Sequence, residues 1–254
     1  MSVHPYLAHR TPLAIAHRGG TESAPENTVA AFRAATDLGF GYLETDVHLT
    51  SDGVLVAFHD DLLDRVTDGS GVLAELPWSE VSAARIGGSE PIPTLDELLE
   101  EFPDARFNID PKSDHVVVAL VAALRRHDAV RRVCIGAFSD ERLRRLRALL
   151  GPDLCTAAGP REIAALVGAS KLGRGDRLES PGYQCLQVPV RHMKVEIVTP
   201  AMVAAAHSLG RQVHVWTIDD PDEMHRLLDM GVDALMTDRP SVLKGVLVER
   251  GSWA

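Results

Sequence analysis

Short apolar or β-branched runs alternate with longer amphipathic stretches along nearly the whole chain. The amphipathic stretches place apolar residues three and four positions apart, which is typical of a helix packed on a sheet. Eight such strand–helix units predict a (β/α)8 barrel, the TIM barrel of the α/β class. The predicted strands are Leu13–His17, Gly41–Val47, Arg106–Asp110, Arg132–Ala137, Leu154–Ala157, Gln184–Val188, Gln212–Trp216 and Ala234–Thr237.

The predicted helices carry start and stop signals. Ser139 is a plausible N-cap for a helix over residues 140–150, because a hydroxyl at that position accepts from the first turn. The apolar stripe of this helix consists of Leu143, Leu146, Leu149 and Leu150. A glycine after the last turn can adopt the left-handed conformation that closes a helix. Glycines in this position are Gly39, Gly151, Gly210 and Gly231.

The main alternative fold is a doubly wound open sheet. No GxGxxG motif follows the first strand, so a dinucleotide site has no support. One connection is unusually long, from His59 to a helix that begins near Thr94. A connection of this length in a compact barrel is usually functional. We expect one domain over residues 1–254, with a small lobe of about residues 60–93 inserted after the second strand.

Composition narrows the classes of partner. The formal net charge of −10 argues against nucleic-acid binding and stable association with anionic membranes, which require a basic face. Taken alone, it also argues against a phosphate-bearing substrate. No apolar run approaches a signal peptide core or the roughly 20 residues of a membrane span, and the three cysteines form no CxxC pair. We therefore expect a cytoplasmic protein in which Cys134, Cys155 and Cys185 are reduced core residues; the oligomeric state stays open.

The second predicted strand carries acidic residues on one face. Side chains alternate along a strand, so Glu44, Asp46 and His48 point the same way, into the mouth of the barrel. Asp110 ends the neighbouring strand and adds a third carboxylate. Buried like charges are costly unless a proton or a cation separates them, and three oxygen donors suit Mg²⁺ or Ca²⁺. We predict a divalent metal site here, with His48 in a supporting position.

Two histidines and two cations belong to the same rim. His17 follows the first strand, and His59 closes the extended run Val54–Phe58, which pairs with the second strand. Imidazoles that titrate near neutrality can divide proton transfers, one as base and the other as acid. Arg18 and Lys112 would clamp an anionic group, and arginine can contact phosphate through two donors. The alternative is that the three acids pair with these two cations alone, without a metal.

Several ordered motifs resemble a known family. AHRGG, PENT followed by AF, and ETDVHLTSDGVLVAFHDDLLDRVTDGSG resemble the N-terminal signature of the glycerophosphodiester phosphodiesterase family. VHVWTIDD and MGVDALMTDRP resemble its C-terminal signature. The matches run from Ile15 to Pro240. The resemblance implies a (β/α)8 barrel with an insertion after the second strand.

The resemblance also implies roles for individual residues. The implied metal ligands are Glu44, Asp46 and Asp110; the implied acid/base pair is His17 and His59; the implied substrate contacts are Arg18 and Lys112 on the phosphate and Trp216 on the alcohol. The chain departs from the family at Asp110-Pro111, where a glutamate followed by an aliphatic residue is usual. Aspartate is shorter by one methylene, which leaves open whether Asp110 ligates directly or through water.

The expected function is metal-dependent hydrolysis of glycerophosphodiesters to sn-glycerol 3-phosphate and an alcohol, a step of lipid and glycerol metabolism. His17 is favoured as the acid for the leaving group and His59 as the base. Action on lysophospholipids, in the manner of a lysophospholipase D, is one alternative. A barrel that binds phosphodiesters without cleaving them is another, and the complete set of histidines, acids and cations argues against it. An amidohydrolase would require an HxH pair on the first strand, and HRG is not such a pair.

Overall fold

Eight parallel strands form a nearly closed barrel in the computed structural model, which describes residues 4–9, 12–175 and 182–253. In chain order, the strands are β1 (Leu13–Ala16), β2 (Tyr42–Leu49), β3 (Leu55–Ala57), β4 (Arg85–Ile86), β5 (Glu90–Pro91), β6 (Arg106–Pro111), β7 (Val133–Ile135), β8 (Cys155–Thr156), β9 (Cys185–Pro189), β10 (Arg191–His192), β11 (Val195–Glu196), β12 (Gln212–Trp216) and β13 (Ala234–Thr237). Around the barrel the order is β8-β7-β6-β2-β1-β13-β12-β9. A parallel bridge between Ala157 and Cys185 brings the two ends together. The predicted TIM barrel is confirmed.

Helices cover the outside of the barrel. They are α1 (Val29–Asp37), α2 (Trp78–Val81), α3 (Leu95–Glu101), α4 (Val116–Arg126), α5 (Asp140–Leu150), α6 (Pro160–Lys171), α7 (Pro200–Ser208), α8 (Pro221–Asp229) and α9 (Pro240–Glu249). Ser139 caps α5 as predicted, since its hydroxyl accepts from the Arg142 N–H at 3.2 Å. The four predicted closing glycines all have positive φ. The predicted leucine stripe was too wide, because Leu149 is 41% exposed at the outer edge of α5.

Three apolar clusters divide the interior. The largest lies between the barrel and its helices and takes the outward-facing residues of the strands, such as Leu43, Phe107 and Leu186. A second fills the barrel interior and contains Tyr6 and Ile15 with the three cysteines. The third lies under residues 60–93 and packs on the end of β3. The segment after β3 therefore buries an apolar cluster of its own.

The pairing of β2 and β3 carries the chain from the barrel to this segment. β3 runs antiparallel to β2, with His48 opposite Val56, and Thr94 then begins α3 with a reciprocal cap to Glu97. His17 lies one residue beyond β1, in a 3₁₀ turn, and not within the strand as predicted. Within the described part of the chain, no helix is long and apolar enough to cross a membrane.

Candidate active site

A cavity of about 230 Å³ opens at the carboxyl ends of the barrel strands. This is the end of a TIM barrel where active sites lie. Every residue proposed from the sequence for catalysis, substrate or metal lines this one cavity. They are His17, Arg18, Glu44, Asp46, His59, Asp110, Lys112 and Trp216.

The two β2 carboxylates are buried at the base of the cavity, 4% and 2% exposed. Glu44 Oε2 accepts a hydrogen bond from the backbone N–H of Arg18 at 3.1 Å. Burial and the neighbouring Asp46 raise the pKa of Glu44 to about 8. Burial also acts against the charge on Asp46, but Lys112 and Arg18 outweigh it and lower the pKa of Asp46. Asp46 is therefore stabilised as a carboxylate by nearby cations, whereas Glu44 has too little positive charge around it to offset its burial.

Lys112 joins the carboxylates of two adjacent strands. β2 and β6 pair in register with Asp46 level with Asp110, so both side chains face the same part of the cavity. Lys112 Nζ lies 2.6 Å from Asp46 Oδ1 and 3.0 Å from Asp110 Oδ2. Burial raises the pKa of Asp110 despite this contact. The lysine thus supplies positive charge to both carboxylates.

Arg18 reaches the cavity from a turn that needs glycine. Arg18 itself has a φ of 52°, and Gly19 follows at 82°. A Cβ on Gly19 would lie 2.8 Å from backbone atoms of α1, so no side chain fits there. The Arg18 guanidinium donates to Glu26 at 3.2 Å and approaches Asp46 Oδ2 at 3.0 Å. The HRGG turn and Glu26 together fix where the guanidinium lies.

His17 is held by a carboxylate from the last strand of the barrel. Its Nδ1–H donates to Asp238 Oδ1 at 2.6 Å, and its Nε2 lies 3.7 Å from Glu44 Oε2. Burial lowers the pKa of His17, but Glu44 and Asp238 outweigh burial, so the pKa is raised overall. The hydrogen bond to Asp238 leaves Nε2 as the ring nitrogen on the Glu44 side.

His59 has a similar arrangement on the opposite wall. Its Nδ1–H donates to Asp60 Oδ1 at 2.5 Å, and Arg65 also contacts Asp60. The Arg65 hydrogen bond and that of His59 lower the pKa of Asp60 to about 2. His48 Nε2–H donates to the His59 carbonyl at 3.1 Å. Arg65 continues to Glu26 and so links the segment after β3 to the Arg18 turn.

The remaining walls are aromatic and amide. Trp216 lies at the rim with Phe138, whose ring is 6.0 Å away in an edge-to-face contact and is 74% exposed. Gln187 donates to Asn108 at 2.9 Å across the floor of the cavity. Asp60, Phe138 and Asp238 belong to the site, although no role for them was predicted from the sequence. The pairs His59-Asp60 and Thr237-Asp238 at strand ends were the available signal.

The carboxylates were tested as a metal site. Their oxygens are the donors that Mg²⁺ and Ca²⁺ prefer. Among the described residues, Asp46 Oδ2 is buried and accepts no hydrogen bond, although Arg18 Nε forms an ion pair with it at 3.0 Å. Glu44, Asp46 and Asp110 do not place one oxygen each within 4.8 Å of one another in the described chain. A cation held by Asp46 and Asp110 also competes with Lys112 for the same oxygens. The carboxylate oxygens are donors of the kind that a hard cation prefers. In this structure, however, Lys112 lies between Asp46 and Asp110, where such a cation would bind.

Known proteins match this chain over nearly its whole length. A family model described as the Glycerophosphoryl diester phosphodiesterase family matches residues 17–242. A Mycobacterium tuberculosis protein named "Probable glycerophosphodiester phosphodiesterase 2" is 42% identical and is covered over 95% of its length, with 98% of this chain covered. A glycerophosphodiester phosphodiesterase from Caldanaerobacter subterraneus is 32% identical, with 94% of this chain and 98% of that protein covered.

One similar protein of known structure was solved with a bound product. The Oleispira antarctica phosphodiesterase in complex with the product sn-glycerol-3-phosphate superposes with a TM-score of 0.77 at 26% identity. It covers 94% of this chain and 97% of its own. The glycerophosphodiester phosphodiesterase of Agrobacterium tumefaciens gives a TM-score of 0.75, also at 26% identity, with 92% of this chain and 99% of that one covered.

Proposed function

The chain belongs to the glycerophosphoryl diester phosphodiesterase family, and we propose that it hydrolyses glycerophosphodiesters to sn-glycerol 3-phosphate and an alcohol. One observation carries this: His17 and His59, each bound to its own aspartate, line the same cavity as Arg18 and Lys112. Two oriented imidazoles beside two cations suit proton transfer at a phosphate. The product complex of the Oleispira relative supports the same substrate class.

His59 acts as base and His17 as acid in the first step. His59 takes a proton from the glycerol 2-hydroxyl or from a water, whose oxygen forms a new bond to phosphorus. The bond from phosphorus to the alcohol oxygen breaks, and His17 gives its proton to that oxygen. When the 2-hydroxyl attacks, water then opens the cyclic phosphate with the two roles exchanged, as microscopic reversibility requires. The aspartates keep both rings in the orientation that this exchange needs.

Arg18 and Lys112 bind the phosphate. A guanidinium can donate two parallel hydrogen bonds to phosphate oxygens, and a lysine supplies a point charge. Glu44, Asp46 and Asp110 would hold Mg²⁺ or Ca²⁺, which supplies charge to neutralise phosphate oxygens as the reaction proceeds. The net charge of −10 describes the whole chain, whereas attraction of phosphate depends on the cations that line this cavity.

Three further proposals complete the assignment. Residues 1–254 form one domain with residues 60–93 as its inserted lobe. Trp216 packs on the alcohol part of the substrate, since an aromatic face at a cavity rim suits the apolar portion of a ligand. The protein acts in the cytoplasm on a small soluble substrate and binds neither nucleic acid nor anionic membranes.

The proposal is tested by hydrolysis of glycerophosphocholine. We expect EDTA to abolish the release of sn-glycerol 3-phosphate, and His17→Ala and His59→Ala to lower kcat by about 10²–10⁴-fold, the usual contribution of a positioned acid or base. His207→Ala is the matched control, because His207 also binds an aspartate, Asp233 at 2.8 Å, but does not line the cavity. Full activity in either cavity variant would contradict the mechanism.

The same assay separates the alternatives. A panel of head groups and of acylated substrates distinguishes a glycerophosphodiesterase from a lysophospholipase D, since the latter would hydrolyse lysophosphatidylcholine faster than glycerophosphocholine. A barrel that only binds phosphodiesters would retain glycerophosphocholine without releasing product from any member of the panel.

A further inference from the structure

Three cysteine thiols converge inside the barrel, away from the carboxylates. Cys134 and Cys155 are level with each other on β7 and β8, and Cys185 on β9 is bridged to the end of β8. All three residues are fully buried in the apolar cluster of the barrel interior. Their sulfurs lie within 4.8 Å of one another, and Cys134 Sγ is 3.8 Å from Cys185 Sγ. This separation is far longer than the ~2.05 Å of a disulfide, so the thiols are free.

The convergence is particular to this set. Among the described residues, these cysteines are the one group of three or more His, Cys, Asp or Glu side chains whose ligand atoms meet so closely. Buried cysteines often serve as small apolar residues, which is what the sequence predicts for each of them separately. Three sulfurs directed at one point form the first part of a thiolate metal site.

His214 supplies a second, independent observation. It is fully buried on β12, and its Nε2–H donates to Gln212 Oε1 at 3.1 Å. Its other ring nitrogen, Nδ1, is buried with no hydrogen-bond partner in the part of the chain that the structure describes. The ring lies near the Cys185 sulfur, but its nitrogens are not among the ligand atoms that lie within 4.8 Å of one another. A histidine that binds a metal through one ring nitrogen characteristically donates the N–H of the other nitrogen to an oxygen. The Nε2–H bond to Gln212 fixes the tautomer in this way and leaves Nδ1 without a proton.

Other polar groups around the sulfurs favour thiolates. The Tyr6 hydroxyl is also buried without a partner among the described residues, and Tyr6 belongs to the same apolar cluster as the three cysteines. The Tyr6 hydroxyl can therefore donate to a sulfur that becomes a thiolate when a cation binds.

We propose that Cys134, Cys155 and Cys185 bind a structural zinc ion inside the barrel, and that the His214 ring, whose nitrogens lie outside this group of sulfurs in this structure, moves toward them to become the fourth ligand. Three thiolates and one imidazole form a common donor set of structural zinc sites. Binding releases the three thiol protons to solvent and leaves one net negative charge on the site, to which the Tyr6 hydroxyl can donate. The proposal does not depend on the proposed hydrolysis.

The position of the site assigns the ion a structural role. Gln187 and Asn108 form the floor of the active-site cavity, and Gln187 Nε2 lies 4.0 Å from Cys134 Sγ on the far side. None of the three cysteines lines the cavity. A zinc ion here would tie β7, β8 and β9 together where the barrel closes, and it would have no contact with substrate.

Metal content and cobalt substitution test the proposal on the intact chain. We expect protein purified without added metal to retain about one equivalent of zinc per chain after dialysis against EDTA, measured by mass spectrometry of the metals. Unfolding with chelator and refolding with Co²⁺ should give the thiolate-to-cobalt charge-transfer band and the strong visible bands of tetrahedral cobalt. The first measurement needs no variant, so a failure of any variant to fold leaves the test intact.

Variants of the cysteines and of His214 show whether these residues give rise to the cobalt bands. Cys155→Ser and Cys185→Ser should each lose the charge-transfer band, whereas Glu44→Gln, which alters only the oxygen donors of the cavity, should keep it at full intensity. His214→Gln should retain the thiolate band and alter the visible bands. Two results together would overturn the proposal: purified wild-type protein contains no zinc, and the same protein refolded with Co²⁺ shows no thiolate-to-cobalt band. A disulfide between Cys134 and Cys185 in the purified protein would overturn it as well.

Discussion

The two ends of the barrel interior bury polar groups in opposite ways. At the carboxyl ends of the strands, Glu44, Asp46 and Asp110 share a cavity with Arg18 and Lys112, and the cavity is open to solvent. In the layer below, three thiols are enclosed by apolar side chains such as Ile15 and Tyr42. Oxygen donors beside positively charged side chains suit a site where charge changes during a reaction. Closed sulfur donors suit a group that is set in place once, on folding.

The comparison predicts that changes at the open end act mainly on catalysis. Asp238→Asn should lower kcat roughly 10²-fold for glycerophosphocholine, because the amide cannot hold the His17 tautomer as the carboxylate does. The thermal midpoint should change little. Asp233→Asn removes the corresponding partner of His207 outside the cavity and serves as the control. Equal kcat for Asp238→Asn and wild type would show that the Asp238 carboxylate is not needed to hold His17 for catalysis.

A second prediction concerns stability against pH in the metal-free protein. The pKa of Glu44 is raised to about 8, so the folded state binds a proton that the unfolded state has lost above about pH 4.5. The contribution of Glu44 to stability is therefore present at low pH and is lost as pH rises toward 8. Glu44→Gln should remove that loss and raise the free energy of unfolding at pH 8 by on the order of 2 kcal/mol relative to wild type.

Urea unfolding at pH 5 and pH 8 measures this difference. Asp52→Asn offers a control carboxylate, since Asp52 is exposed and lies in the turn before β3. A Glu44→Gln protein with the same pH dependence as wild type would show that Glu44 is already fully compensated.

At the closed end of the barrel, a substitution is predicted to lower the free energy of unfolding, whereas Glu44→Gln is predicted to raise it. With both proteins free of metal, Cys155→Ser places a more polar hydroxyl in a fully buried apolar position, which should lower the free energy of unfolding relative to wild type by about 1–3 kcal/mol. For a chain of this size, each kcal/mol corresponds to about 2–4 °C in Tm. Calorimetry measures the shift, with Ser170→Ala on α6 as a comparison outside the barrel interior. An unchanged Tm would contradict the description of this layer as buried and apolar.

The smallest effect is expected at the rim. Phe138 is mostly exposed and contacts Trp216 by its edge, and aromatic pairs contribute about 0.5–1.5 kcal/mol beyond burial. Phe138→Ala should raise KM for glycerophosphocholine about 2- to 5-fold and leave kcat within about twofold. Leu172→Ala, another exposed apolar residue, should change neither. A large fall in kcat would instead place Phe138 among the residues that act on the reacting phosphate.

Local patterns in the sequence were sufficient to predict the barrel and one face of its site. Alternation along β2 predicted that Glu44, Asp46 and His48 point together, and all three are buried on that strand. The end of β1 predicted the position of His17, because every parallel strand of a barrel ends at the same rim. The position of His59 was predicted from the pairing of Val54–Phe58 with the second strand. These predictions depend only on neighbours in the chain and on one rule of the fold.

What the sequence could not supply depends on closure of the barrel. His17 and Asp238 are 221 residues apart and meet because β1 pairs with β13. The three cysteines were predicted as separate core residues, and their convergence follows from the register of β7, β8 and β9. The place of Lys112 between Asp46 and Asp110 reflects a competition among charges, which spacing alone does not resolve.

A crystal soaked with Mn²⁺ and sn-glycerol 3-phosphate tests the central claim most directly, with anomalous scattering locating the metal. We predict the phosphate against Arg18 and Lys112, with manganese bound by Glu44, Asp46 and Asp110 and both histidines beside the phosphate oxygens. Phosphate bound outside this cavity, or a metal-free cavity with Lys112 still between Asp46 and Asp110, would contradict the proposed metal-dependent site.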